Sequence, residues 1–264
     1  MYNFDYEKAA SADDAVKAAD GNDDVMFLAG GMTLIPALKL RLSQPEKLVD
    51  VGSIADLKGI SVAGDTVTIG AATTHAEVAA SEDVKKAIPA LAKLASLIGD
   101  AQVRNRGTIG GSIANADPAA DYPAAVVGLG ATIKTTKREI KGDDFFTAMF
   151  DTALEPGELI TSVSFPVPDA ADYQKLPNPA SGYAVVGVMV AKTSGGVRVG
   201  VTGAGPSAFR ASAIEDALGS DFSSDAAKGV TMPADDLNND LHATAEYRAS
   251  CIATLAARAV MAMG

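Results

Sequence analysis

Apolar and polar positions along this chain follow two periods, and the switches between them mark its elements. Residues 11–20 read as a helix, with Ser11 as N-cap and an acidic first turn. Residues 25–29 are a short apolar run, expected to be a buried strand that leads into a glycine-rich turn. A short helix follows over 36–42, with Pro36 tolerated in its first turn, and then a strand over 47–51. Residues 65–71 alternate as a strand, 74–78 begin a helix, and roughly 84–98 predicts a longer one. The polar stretch 102–107 leads into a second glycine-rich turn. After 121–123 come an apolar helix and strands near 131–134 and 159–165, the last ended by Pro166. The proline-containing passage 166–179 reads as a loop, and the main boundary is placed near it. Paired strands over 183–191 and 196–202 and a closing helix over 244–263 complete the chain. This order predicts an α+β protein. Two small lobes, 1–56 and 57–168, share a cleft, and a C-terminal domain covers 169–264.

Composition narrows the chemistry. The 264 residues suit one large domain or two to three small ones. With 48% hydrophobic and 21% charged residues the chain is neither disordered nor fibrous. No apolar run approaches the roughly 18 residues of a membrane span, and the N-terminus lacks the pattern of a Sec signal peptide. A cytoplasmic location is expected, with any attachment to the inner face of the membrane made through partners. A net charge of −11 argues against nucleic acid as a partner. Cys251 is the only cysteine, and His75 and His242 are the only histidines, so no Cys₄ cluster or Cys/His zinc site can be built from this chain alone. Cys251 lies in a helical apolar pattern and reads as a packing thiol. No G-x-S-x-G elbow is present, so redox chemistry would need an organic cofactor.

The two glycine-rich turns are the candidate cofactor grip. Ala29-Gly30-Gly31-Met32-Thr33-Leu34 and Thr108-Ile109-Gly110-Gly111-Ser112 lie about eighty residues apart, each pairing adjacent glycines with a hydroxyl. Glycine allows φ > 0 and close backbone approach, so successive N–H groups can converge on one anion. Either turn alone reads equally well as a plain tight turn; together they point to a bound dinucleotide. Arg104 and Arg106 flank the second turn, and Asp117 and Asp121 follow it. Asp121 can accept from sugar or ribityl hydroxyls, with helix capping as the alternative, while Asp117 before Pro118 fits capping better. A competing G-x-G-x-x-A match at Gly203–Ala208 is weak, because Pro206 removes an N–H and too little chain follows.

The string from Gln102 to Ala114, with Asp117-Pro118-Ala119-Ala120-Asp121, resembles the FAD signature of molybdenum hydroxylase flavoprotein subunits, in particular the medium subunit of aerobic carbon monoxide dehydrogenase. The segments 29–36, 179–184 and 241–248 resemble the same family, in the same order along the chain. The resemblance implies a two-lobed FAD-binding fold of the vanillyl-alcohol oxidase / p-cresol methylhydroxylase type, plus a C-terminal α+β domain with a three-stranded sheet. It implies that Ala29, Gly30, Gly31, Met32, Thr33 and Leu34 hold the FAD diphosphate from one lobe. Thr108, Ile109, Gly110, Gly111 and Ser112 would hold it from the other, with Asn115 beside them. Asp121 matches an FAD-contacting aspartate of related xanthine dehydrogenases. Ile98, Ile160 and Lys175 fall at positions lining the flavin or its adenine end. Lys175 would stabilise charge on the reduced ring, or else be a solvated loop lysine. Tyr183 would shield one flavin face, or else pack in a strand. Met32 and Asn115 depart from the family, where histidine or glutamine, and histidine, are frequent.

By the same resemblance the chain is the electron-transfer subunit of a complex. An iron–sulfur small subunit with two [2Fe-2S] clusters would feed its flavin, a large subunit would carry the molybdenum cofactor, and an external acceptor would take the electrons. The assembly expected is a dimer of heterotrimers, with no substrate-transforming catalytic residue and no metal ligand in this chain. Two alternatives stand beside this reading: an assembly subunit that has lost its flavin, and a stand-alone NAD(P)-dependent reductase using Gly203–Ala208.

Overall fold

The computed structural model describes residues 1–264. Three sheets organise it. The strands Asp5–Lys8, Val25–Leu28 and Lys47–Asp50 form a parallel sheet in the order first, third, second. Parallel pairing needs crossovers, and helices Ala12–Ala19 and Leu34–Lys39 supply them. Ser11 caps the first by accepting from the Asp14 N–H at 3.1 Å.

The second sheet is antiparallel and five-stranded, in the order Ile60–Ala63, Thr66–Gly70, Ile160–Pro166, Thr132–Thr135, Glu139–Lys141. Its two faces follow from alternation. Val67, Ile69, Ile133, Val163 and Phe165 face the largest apolar cluster, while Thr68 and Ser164 share a 2.9 Å hydrogen bond on the other side. The third sheet has three long strands, Ala170–Pro177, Ala184–Thr193 and Gly196–Thr202, with the two-residue Phe209–Arg210 on its edge. Helix Ala245–Met263 covers one face. Tyr173, Met189 and Ala191, from the other face, join the second lobe's core, so the C-terminal sheet is fused to that lobe by packing.

Several expectations are corrected. Strand Val25–Leu28 is half-exposed rather than buried, because it lies at the edge of its sheet. The helix expected over 36–42 starts at Leu34 and stops at Lys39; Arg41 has φ +61°, which leaves Leu40 and Leu42 exposed. The helix expected over 84–98 is two, Glu82–Ala87 and Pro89–Ser96. Pro89 drives Ile88 out of the helical region, to φ −138° and ψ 75°. The polar stretch 102–107 lies largely in a helix, Ala101–Arg106, capped by Asp100. Residues 166–179 are not a loop. They hold strand Ala170–Pro177, paired along its length with the next strand. Cys251 is half-buried against the C-terminal core.

The G-x-G-x-x-A segment also resolves. Gly203, at φ +81°, opens a turn into strand Phe209–Arg210, which pairs antiparallel with Gly200 and Val201. No helix starts at these glycines and no parallel crossover follows, so a dinucleotide turn of the βαβ type is not formed there.

Candidate functional site: a cofactor cleft between lobes

The first glycine segment leaves strand Val25–Leu28 and enters helix Leu34–Lys39. Gly31 adopts φ +73°, a left-handed conformation that turns the chain sharply. None of the five N–H groups from Gly30 to Leu34 donates to a protein acceptor. Met32 and Thr33 are exposed. The result is a solvent-facing run of unpartnered donors at a helix start, an arrangement that suits an anion.

The second segment is different. It is no φ > 0 turn: Thr108 is the N-cap of helix Ile109–Asn115, and Gly110 and Gly111 lie in its first turn. Their donors are engaged. Ile109 N–H donates to Thr73 O at 3.1 Å, Gly110 N–H to Ala71 O at 2.9 Å, and Ser112 N–H to Thr108 O at 2.9 Å. Gly111 N–H donates to the Thr108 hydroxyl at 3.1 Å. The expected second nest of free amides is therefore replaced by a tightly docked helix start. Gly110 is there for approach: a Cβ would stand 2.6 Å from the Ala71 Cβ. What this segment presents outward is the exposed Gly111 backbone and the half-exposed Ser112 and Asn115.

The fold brings the two segments together. A Cβ on Gly30 would collide with the Arg106 carbonyl oxygen and stand 2.8 Å from Gly107 Cα, directly before Thr108. The free amides of one lobe thus back onto the helix start of the other.

Beneath this junction His75 is buried with its ring against Gly107 and 5.4 Å from that of Tyr122, centroid to centroid. Burial, reinforced by the Arg104 charge, pulls its imidazole down to about 4. The unfolded chain binds this proton near pH ~6.5. Between the two values the unfolded state holds more protons, so stability falls as pH drops through that window. The full effect is about 3 kcal/mol. Urea titrations of wild type and His75→Phe between pH 7 and 4 check this. The variant should lose about 3 kcal/mol less than wild type, and parallel curves would refute the account.

Asp121 takes the N-cap position of helix Tyr122–Gly128, yet its side chain makes no capping bond. It is buried, accepting from Tyr173 Oη at 2.6 Å and from Lys175 Nζ at 2.9 Å. Lys175 is no solvated loop lysine. Its side chain is 4% exposed on strand Ala170–Pro177, and its ammonium also donates to Leu97 O at 3.2 Å. Burial pushes the Asp121 carboxyl up, against the opposing pull of Lys175 and Tyr173. The fold thus gathers the neighbourhood of Ile98, Asp121 and Lys175 around one ion pair. Sequence reasoning missed Tyr173, although its spacing of two from Lys175 puts both on one strand face. Asp117 makes an Asx turn to the Ala119 N–H at 2.9 Å and caps no helix.

Two predicted residues stand apart from that ion pair. Ile160 is buried in the second lobe's core, and its neighbours Thr161 and Ser162 line a groove of about 400 Å³ with Lys58 and Lys134. Tyr183 precedes strand Ala184–Thr193 and is exposed on the rim of a pocket of about 470 Å³ between the second lobe and the C-terminal sheet. It does not pack within a strand.

Comparison with known proteins agrees with this geometry. Residues 2–168 match the family described as the FAD binding domain in molybdopterin dehydrogenase. The chain is 34% identical to the glyceraldehyde dehydrogenase medium chain of Sulfolobus acidocaldarius, over 94% of this chain and 91% of that one. Its fold superposes on a chain of carbon monoxide dehydrogenase from Hydrogenophaga pseudoflava with a TM-score of 0.89 at 34% identity, covering 99% and 97% of the two chains. It superposes equally on a chain of quinoline 2-oxidoreductase from Pseudomonas putida 86, with a TM-score of 0.89 at 27% identity, covering 100% and 97%. The free amides at Gly30–Leu34, packed against the capped helix at Thr108, therefore sit in a chain that belongs to the FAD-binding medium subunits of the molybdenum hydroxylases, a family of oxidoreductases.

Proposed function

We propose that this chain carries electrons within a molybdenum hydroxylase, holding FAD in the cleft between its two lobes and passing electrons from an iron–sulfur partner to an external acceptor. The observation that supports this most directly is the run of five unpartnered N–H groups from Gly30 to Leu34. Such donors hold a diphosphate without any lysine, because each backbone dipole contributes partial positive charge. FAD, when bound, supplies the redox chemistry, and the protein supplies binding, orientation and electrostatics.

The residues divide that work. Gly30, Gly31, Met32, Thr33 and Leu34 grip the diphosphate through their backbone, with Ala29 setting the entry. Ser112 and Asn115 offer side-chain groups from the facing helix, while Thr108, Ile109 and Gly110 hold that helix in place. Asp121 fixes the Lys175 ammonium, which keeps one N–H beyond its bonds to Asp121 and Leu97 for a group in the cleft. Tyr183 covers the cleft mouth. No side chain here transforms the substrate. The relatives act on glyceraldehyde, carbon monoxide and quinoline while sharing this fold, so substrate choice belongs to the molybdenum-bearing partner. A dimer of heterotrimers is the assembly we infer.

Purified protein should show the visible absorption bands of bound flavin, or acquire them on adding FAD. A colourless chain that takes up no flavin would sink this reading and leave an assembly subunit in its place.

A further inference from the structure

The pocket of about 470 Å³ between the second lobe and the C-terminal sheet is larger than a Tyr183 shield requires. Pro118 and Val185 form part of its floor, Phe150 and Tyr183 one rim, and Asn239 and His242 the other.

Its aromatic rim is held open at a cost. Phe150 and Tyr183 are 58% and 45% exposed, while Tyr122, Tyr173, Phe145 and Phe165 are wholly buried. Phe150 adopts φ +56° at the tip of the hairpin joining Phe146–Ala148 to Asp151–Thr152. That conformation costs a bulky residue about 1–2 kcal/mol. A 3.2 Å bond from the Phe150 N–H to the Ala116 carbonyl holds it there. Strain kept in a loop that presents an exposed ring at a pocket mouth points to a ligand.

The polar rim has a defined donor. Asn178 Oδ1 accepts from the Ala180 and Ser181 N–H groups, which fixes the orientation of its amide. Its Nδ2 therefore donates to His242 Nδ1 at 3.1 Å. The ring proton then resides on Nε2, the remaining donor of an exposed His242.

Charge selects among ligands. Arg248 is the only Lys or Arg in the wall, and Asp240 neutralises it through contacts of 2.9 and 2.8 Å. The remaining carboxyl is Asp117. A phosphate-bearing nucleotide would find no free Lys or Arg in this wall and would face a carboxyl group. A planar uncharged ring with carbonyl acceptors matches the aromatic rim, the amide of Asn239 and the His242 donor.

We propose that this pocket receives the oxidant that empties the bound flavin, and that the oxidant is a neutral quinone rather than a pyridine nucleotide. This rests on the FAD reading above. Two electrons and two protons leave the reduced cofactor, the two quinone carbonyls take them to become hydroquinone, and oxidised FAD remains.

The test uses the FAD-loaded protein and 2,3-dimethoxy-5-methyl-1,4-benzoquinone, titrated by calorimetry beside NAD. Phe150→Gly relieves the positive φ and should fold at least as well as wild type; His242→Phe removes the donor. Each should weaken quinone binding at least tenfold and slow quinone-driven reoxidation, with flavin absorbance unchanged and no heat from NAD. Equal quinone affinity in all three proteins, NAD binding in its place, or displacement of FAD by the quinone would overturn the proposal. A chain that takes up no flavin would overturn both readings, and absorbance alone reports that outcome.

Discussion

Gly30→Ala should abolish stable FAD binding and destabilise the fold. The added Cβ would drive into the Arg106 carbonyl and crowd Gly107 Cα. Both are backbone atoms, held by the Gly107 N–H bond to Val103 O and by the bond from His75 N–H to Gly107 O, so neither can rotate aside as a side-chain tip would. Overpacking of this kind costs about 1–3 kcal/mol. Because the collision pries apart the two segments that flank the cleft, FAD affinity should fall by more than about tenfold, or 1.4 kcal/mol. Gly111→Ala is the matched control. Its position is helical and exposed, and the nearest atom to a Cβ is the Thr108 hydroxyl at 3.0 Å. Its stability should change little, so any loss of FAD affinity would report direct contact with the cofactor. Thermal unfolding and flavin titration of both variants decide the matter. A Gly30→Ala protein with full flavin occupancy would show that the junction does not shape the cleft.

Removing the ammonium from Lys175 should be the most destabilising single side-chain change near the cleft. In Lys175→Met the Asp121 carboxylate stays buried with Tyr173 as its remaining side-chain partner. Breaking a buried pair by removing one partner costs about 3–5 kcal/mol, whereas replacing both with neutral groups costs far less. The double variant Asp121→Asn, Lys175→Met should therefore recover much of the loss. The sign of the pH dependence follows from the same burial. In the single variant the folded state keeps the Asp121 proton to higher pH than the unfolded chain does. Its stability should then fall as pH rises through that window and recover as pH falls toward the unfolded carboxyl range. Denaturant titrations at several pH values read this directly. A single variant as stable as wild type at pH 8 would mean the pair contributes nothing.

How much of this was legible beforehand varies with the range of the interaction responsible. Helix Ala12–Ala19 and the capped start of Ala245–Met263 followed from local signals, a capping hydroxyl ahead of a periodic run. The break at Pro89 was equally local and was overlooked, though proline's effect on Ile88 needs no tertiary contact. Strand Ala170–Pro177 was hidden by the flanking prolines, and its pairing with residues 184–192 is what makes it a strand. Lys175 and Tyr183 were chosen by resemblance. Nothing local said that Lys175 would be buried beside Asp121, 54 residues away in sequence, or that Tyr173 would complete the cluster.

Sequence alone determined the class of the protein: two glycine-rich segments, no possible cysteine cluster, and α+β patterning are properties of residue type and spacing. Tertiary structure decided which segment can grip an anion. The Gly30–Leu34 amides are free because the chain there leaves a strand for a helix with no neighbouring acceptor in reach. Those of Ile109 and Gly110 are engaged because Ala71 and Thr73 pass alongside. A hydrogen-bond donor is available only if the fold has not already given it a partner, and that partner comes from distant chain.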